Sequence, residues 1–151
     1  MTTPSVVWAN SRPPVDIPAC TSGADRVIRV LMIEDNPEQA EWNLIALENS
    51  EEPRFELSWV SSLVEGMMTI RLSQIDVILL DLGLPELEGY RSHTAIRAAA
   101  PLVPVVVLTE DMRKESRRLA LSGGARSYLL KSATSAEDLR RELWRAATER
   151  W

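Results

Sequence analysis

Three short apolar runs constrain the fold more than any other feature: VIRVLMI (27–33), IDVILL (75–80) and VPVVVL (103–108). Each is rich in Val, Ile and Leu, too short for a buried helix, and almost free of polar alternation. Such runs read as strands covered on both faces. The segments between them carry a different period. PEQAEWNLIALEN (37–49) sets Ala40, Leu44 and Leu47 at helical spacing behind Pro37, a residue suited to a first helical turn. SLVEGMMTIRL (62–72) does the same with Leu63, Met67 and Ile70. FELSWV (55–60) alternates Phe55, Leu57 and Trp59 with polar residues, as a half-buried edge strand does. Residues 89–99 are an alanine-rich helix, and 112–122 a helix stopped by Gly123-Gly124. SYLL (127–130) is a short strand. SAEDLRRELWRAATER (135–150) is an amphipathic helix with Ser135 as N-cap and Asp138 at its third position.

Five strands thus alternate with five helices, which requires a parallel sheet with helices on both faces. Right-handed crossovers then predict an α/β, flavodoxin-like, doubly wound sheet in the order 2-1-3-4-5. The edge character of the second strand agrees with that order. The chain has 151 residues, 45% hydrophobic and 26% charged, enough for one packed domain over 26–151. Residues 1–25, with Pro4, Pro13, Pro14 and Pro18, are expected to form a flexible tail whose one apolar cluster is Val6, Val7 and Trp8. Cys20 is the only cysteine, so no internal disulfide or cysteine metal site can form, and a cytoplasmic setting is expected. The net charge of −5 argues against direct nucleic-acid binding. No apolar stretch approaches the roughly 20 residues of a membrane helix, and the first residues lack the pattern of a secretory signal.

The central strands end in chemistry. Glu34 and Asp35 follow the first strand, Asp81 the third, Thr109 the fourth and Lys131 the fifth. In a doubly wound sheet these ends share one rim, where ligands bind at the switch in winding direction. Three carboxylates so gathered repel, by about 3 kcal/mol per pair at ~5 Å and an effective dielectric of ~20. Lys131 supplies one balancing charge. A hard divalent cation held by oxygens supplies the rest, and Mg²⁺ is typically bound by one or two carboxylates and several waters. The carbonyl of Gly83 is placed to complete that sphere. The chain has no GxGxxG or Walker loop, so any phosphorus is not brought as a bound nucleotide. An aspartate can instead attack phosphorus itself and become an acyl phosphate, with the metal and Lys131 neutralising the transferring group and Thr109 donating to a phosphoryl oxygen.

The blocks IEDN (33–36), LLDLGLPELEG (79–89), VVVLTE (105–110) and SYLLK (127–131) resemble the signature blocks of the two-component response-regulator receiver family, over residues 27 to about 148. The resemblance implies Asp81 as phosphoacceptor, Glu34 and Asp35 as the metal-binding acidic pair, and Gly83 as a carbonyl ligand of Mg²⁺. It implies Thr109 as the switch hydroxyl, Lys131 as the partner of the phosphoryl group, and Tyr128 as the aromatic switch that turns inward when Thr109 moves. The implied donor is a phosphohistidine on a sensor histidine kinase or histidine phosphotransfer protein. The implied surfaces are the first helix for kinase docking and the face of helix 4, strand 5 and helix 5 for homodimers or targets. The chain would then be a signalling switch, either a single domain or the N-terminal piece of a longer protein.

Three positions depart from the family pattern: Glu110 stands where a small residue is usual, Ser132 where proline is usual, and Gly83 offers no side chain toward a hydrolytic water. Glu110 favours an alternative reading, a phosphorylation-independent pseudo-receiver acting as a binding module. A phosphatase reading needs a second acid two residues after the nucleophile, and Gly83 is there. Blander roles remain beside these: Glu34 and Asp35 as a charged turn, Thr109 as a helix cap, Tyr128 as packing. His93 is read as a solvated residue of a surface helix, and Trp42, Trp59 and Trp144 as packing residues. Charge is lopsided, with eight acidic residues and one arginine in 34–56, against a basic patch of Arg113, Lys114, Arg117, Arg118 and Arg126.

Overall fold

The computed structural model describes residues 26–87 and 89–149. The expected tail, with Trp8 and Cys20, lies outside them. Five parallel strands run in the order β2-β1-β3-β4-β5, as the alternation requires. They are β1 (Val27–Ile33), β2 (Arg54–Val60), β3 (Val77–Leu80), β4 (Val105–Thr109) and β5 (Ser127–Leu130). The helices are α1 (Pro37–Glu48), α2 (Leu63–Leu72), α3 (Tyr90–Ala99), α4 (Lys114–Ser122) and α5 (Ala136–Thr148). No helix among the described residues is long and apolar enough to cross a membrane.

Side chains alternate across the sheet and divide the interior into two layers. Ile28, Val30 and Met32 of β1 join Val77 and Leu79 of β3 and Val106 and Leu108 of β4 under α1 and α5. Leu31, Ile33, Ile78, Leu80, Val105 and Val107 form the other layer, with Ile96 of α3 and Ala120 of α4. Strands β3 and β4 are therefore buried on both faces and read as unbroken apolar runs, while β1 is buried from Val30 to Ile33 and carries one polar residue, Arg29, nearer its start. Strand β2 pairs only with β1, and its Phe55 and Leu57 are buried while Arg54 is exposed.

Local signals mark the element ends. Asn36 Oδ1 accepts from the backbone N–H of Glu38 at 2.9 Å, with Pro37 opening α1. Ser135 and Asp138 form a reciprocal capping box at α5. Gly123 caps α4, and Gly124 follows at φ +106°, a conformation that favours glycine.

Two packing expectations are corrected. His93 is not a solvated surface residue: it is 1% exposed, on the same face of α3 as Ile96. The α3 helix packs between α2 and α4, so its Ser92–His93 flank turns inward. Trp42 is 42% exposed, and the buried face of α1 is instead Ala40, Asn43, Ala46 and Leu47. Small residues there let α1 approach the sheet closely, and Asn43 Nδ2 lies 3.2 Å from Met32 Sδ in the interior. Trp59 and Trp144 do pack against the core.

Candidate functional site

Strand register brings the rim residues together. Ile33 pairs with Leu80, so Glu34 and Asp81, the next residue on each strand, are neighbours. The ladder continues one step, as the N–H of Asp81 donates to the carbonyl of Ile33 at 3.1 Å. Thr109 pairs with Leu130, which sets Lys131 one position beyond. Alternation then sorts the groups by face. Glu34, Asp81 and Lys131 continue the rows that face α1 and α5, whereas Thr109 and Tyr128 continue the rows that face α4.

Lys131 Nζ lies 2.8 Å from Glu34 Oε1 and 3.1 Å from Asp81 Oδ2. All three side chains are at most 10% exposed. Asp35 is exposed, yet one carboxylate oxygen each from Glu34, Asp35 and Asp81 lies within 4.8 Å of the others. Asp81 Oδ1 accepts from the N–H of Gly83 at 3.0 Å, the turn that breaks the chain away from β3. Trp59 Nε1 donates to the carbonyl of Glu34 at 2.8 Å and fixes that backbone. These groups open into a cleft of about 550 Å³, which Gly83, Thr109, Glu110 and Arg113 also line.

The charges strain against their burial. Burial first, and then the hydrogen bond with Asp81, push the Glu34 carboxyl up to about 7, against the opposing pull of Lys131. For Lys131, burial acts to lower the pKa, but Glu34 and Asp81 together outweigh it and the net shift is upward. The cluster is thus one ammonium against three carboxylates. Its donor set is all oxygen, which fits a hard divalent cation and not a soft one.

Thr109 is 1% exposed at the end of β4, and its Oγ1 accepts from the N–H of Asp111 at 3.2 Å. It does not cap α4, whose N-cap is Arg113. Tyr128 is 6% exposed, and its hydroxyl donates to the carbonyl of Asp111 at 2.8 Å. Burial, with the Asp111 charge second, pushes the phenol up to about 12. The ring is therefore already turned inward here. Lys131 leads into a short 3₁₀ turn, Lys131–Ala133, with Ser132 as its second residue.

Sequence reasoning missed several residues around this cleft. Nothing in the sequence singles out Asp111, and Arg113 stands there only as one member of a basic patch. In the structure Arg113 forms a bidentate pair with Asp111, Nε to Oδ1 at 3.0 Å and Nη2 to Oδ2 at 2.8 Å. This hydrogen bonding holds the Asp111 carboxyl far below the usual carboxylate range. Arg118 and Arg126 of the same patch pair with Glu115 and Glu149. Away from the cleft lining, the carboxylate of Glu86 accepts from the N–H of Leu63 at 2.8 Å and so ties the loop after β3 to the start of α2. Nothing local marks that contact, which joins residues 23 apart.

Comparison with known proteins agrees with this architecture. The family model of the response regulator receiver domain matches residues 30–143. The swarming motility regulation protein RssB of Serratia marcescens is 32% identical over 104 residues, 69% of this chain and 46% of that protein. Protein-glutamate methylesterase/protein-glutamine glutaminase 3 of Myxococcus xanthus (strain DK1622) is 34% identical over 122 residues, 77% of this chain and 33% of that protein. The chain spans half or less of the length of these two relatives. A response regulator receiver domain protein from Clostridium thermocellum superposes with a TM-score of 0.69 at 28% identity, covering 80% of this chain and 94% of that one. The phosphorylated cyanobacterial phytochrome response regulator RcpA superposes at 0.63 and 26% identity, covering 79% and 91%. With the sheet order, the shared rim and the matched span together, the chain belongs to the response regulator receiver domain family.

Proposed function

We infer that this receiver domain, the unit from residue 26 onward, accepts a phosphoryl group on Asp81 from a phosphohistidine of a sensor histidine kinase or histidine phosphotransfer protein. An Asp81 oxygen attacks phosphorus, the P–N bond to the donor imidazole breaks with its electrons leaving on nitrogen, and an aspartyl phosphate results. Glu34, Asp35, Asp81 and the Gly83 carbonyl are the groups that would hold Mg²⁺. Bound there, the ion would offset the charge gathered on the transferring group. Lys131 Nζ, already on Asp81 Oδ2, is placed to follow a phosphoryl oxygen, and Thr109 to donate a hydrogen bond to it. Tyr128 packs on the Thr109 side of the sheet and reports that movement to the α4–β5–α5 face.

The observation that carries this reading is the convergence of Glu34, Asp81 and Lys131, from three chain segments, within hydrogen-bond distance in a buried cleft. An ammonium held on a carboxylate that stands beside two more is a poor stabilising device on its own. It is well suited to a site whose charge changes in use.

Incubation with acetyl phosphate and Mg²⁺, followed by intact-mass measurement, tests the proposal. The expected result is one added phosphoryl mass that Asp81→Asn abolishes and chelation of the metal prevents. No mass gain, even with a cognate kinase, would overturn it in favour of a phosphorylation-independent binding module.

A further inference from the structure

We propose that Asp111, clamped by Arg113, is the positioning residue that presets both switch side chains, Thr109 and Tyr128, before any phosphoryl group arrives. The proposal rests on the reading of those two residues as the switch and adds a control point to it. Asp111 makes every one of its polar groups useful. Its N–H donates to Thr109 Oγ1 at 3.2 Å, and its carbonyl accepts from the Tyr128 hydroxyl at 2.8 Å. Its Oδ1 accepts from both the backbone N–H and the Nε of Arg113 at 3.0 Å, and its Oδ2 from Arg113 Nη2 at 2.8 Å. The side chain thus locks the short segment between β4 and α4 into a turn, and the main chain of that turn holds the switch.

Each contact has a consequence for the cleft. A threonine hydroxyl carries one proton and two acceptor sites. With the Asp111 N–H on one acceptor site, the proton has to point elsewhere, and Thr109 lines the cleft that Asp81 and Lys131 share. Asp111 therefore keeps the hydroxyl available as a donor. Tyr128 is buried, and its hydroxyl donates to the Asp111 carbonyl. If the turn relaxes, the phenol loses that acceptor and gains by turning out to water. Arg113 is the exposed half of the clasp, 73% accessible against 14% for Asp111, and it sits on the cleft rim, where an incoming donor or a bound partner can reach it. The bidentate, charge-assisted geometry gives the pair more hold than an ordinary surface ion pair.

Nitration by tetranitromethane reads the clasp directly, with no phosphodonor present. The chain has two tyrosines: Tyr90, at 38% exposure, is expected to react freely, and Tyr128, at 6%, to be protected. The rate at Tyr128, normalised to an added tyrosine peptide and located by mass spectrometry, is measured at one pH. Asp111→Ala and Arg113→Gln are each expected to raise it at least threefold, and Arg113→Lys, which keeps the charge but not the fork, to raise it less than Arg113→Gln does. The same two variants should slow the acetyl phosphate mass gain severalfold. Arg113 is exposed, so its replacement does not threaten the core, and the graded order of wild type, lysine and glutamine separates loss of the clasp from general loosening. Unchanged Tyr128 nitration in both Asp111→Ala and Arg113→Gln would overturn the proposal. Absence of any mass gain in the wild type would overturn the phosphoacceptor reading and leave the nitration result standing.

Discussion

Replacing His93 by leucine tests how the α3–α4 layer is built, and the size of the effect follows from burial. The imidazole is 1% exposed, Nε2 has no hydrogen-bond partner among the described residues, and Gly123 lies against the ring. Burial, with the charge of Arg97 second, lowers its pKa from 6.5 to about 4. Because the folded-state value lies below the unfolded one, the folded chain resists a proton that the unfolded chain takes up. The stability that depends on neutral His93 is complete above pH 6.5 and is lost as the pH falls toward 4. With these values the loss is about 2 kcal/mol at pH 5 and approaches ~3 kcal/mol below pH 4. Glu34 titrates in the same window with opposite sign. Its raised pKa favours protonation in the folded state, so its contribution is present below pH 4.5 and lost as the pH rises through about 7. Comparing wild type with His93→Leu cancels Glu34, which is unchanged in both. The assay is urea unfolding at pH 7.5 and pH 5.0 at constant ionic strength. The wild-type midpoint should fall by roughly 1 M urea more than that of His93→Leu. Parallel losses, equal to within about 0.5 kcal/mol, would refute the assignment of a neutral, buried imidazole.

The other predictions concern the cleft and one helix contact. Lys131→Met leaves Glu34 and Asp81 buried without their ammonium and should cost about 3 kcal/mol in metal-free urea unfolding. Millimolar Mg²⁺ should recover part of that loss, and the variant should bind the ion more tightly than wild type by titration calorimetry. A Cβ on Gly66 would lie 2.6 Å from Ile33 Cδ1 and 3.0 Å from its Cγ1. Gly66→Ala should therefore destabilise by about 1 kcal/mol despite its better helix propensity, and thermal unfolding should find the cost smaller in an Ile33→Val background.

Much of this architecture was legible because hydropathy, period and strand ends agree. The β3 and β4 runs could be read at once, and β1 with them despite Arg29, since burial on both faces leaves almost no polar position to confuse the period. The cleft followed from topology: once the strands are parallel, Glu34, Asp35, Asp81, Thr109 and Lys131 have to share a rim. Where composition and burial part company, the reading failed. Helix α1 buries Asn43 and exposes Trp42 and Ile45, because close approach to the sheet rewards small side chains over hydrophobic ones. Helix α3 has a single large aliphatic residue, Ile96, to mark its inner face. His93 stands three residues before the buried Ile96, a spacing that could have placed it inside. The Asp111–Arg113 clasp left no trace in any period, since a carboxylate two residues before an arginine in a polar stretch looks like every solvated turn.

The contact between Lys131 and Asp81 joins residues 50 apart, and that between the Trp59 ring and the Glu34 carbonyl joins residues 25 apart. No contiguous fragment lacking β1, β3 or β5 owns the whole cluster, so truncation or a one-residue slip of a strand removes it outright instead of weakening it. The Glu34–Asp81–Lys131 cluster is thereby a mark of β1, β3 and β5 all standing in correct register, and a chain that misplaces any one of them loses the cluster whole.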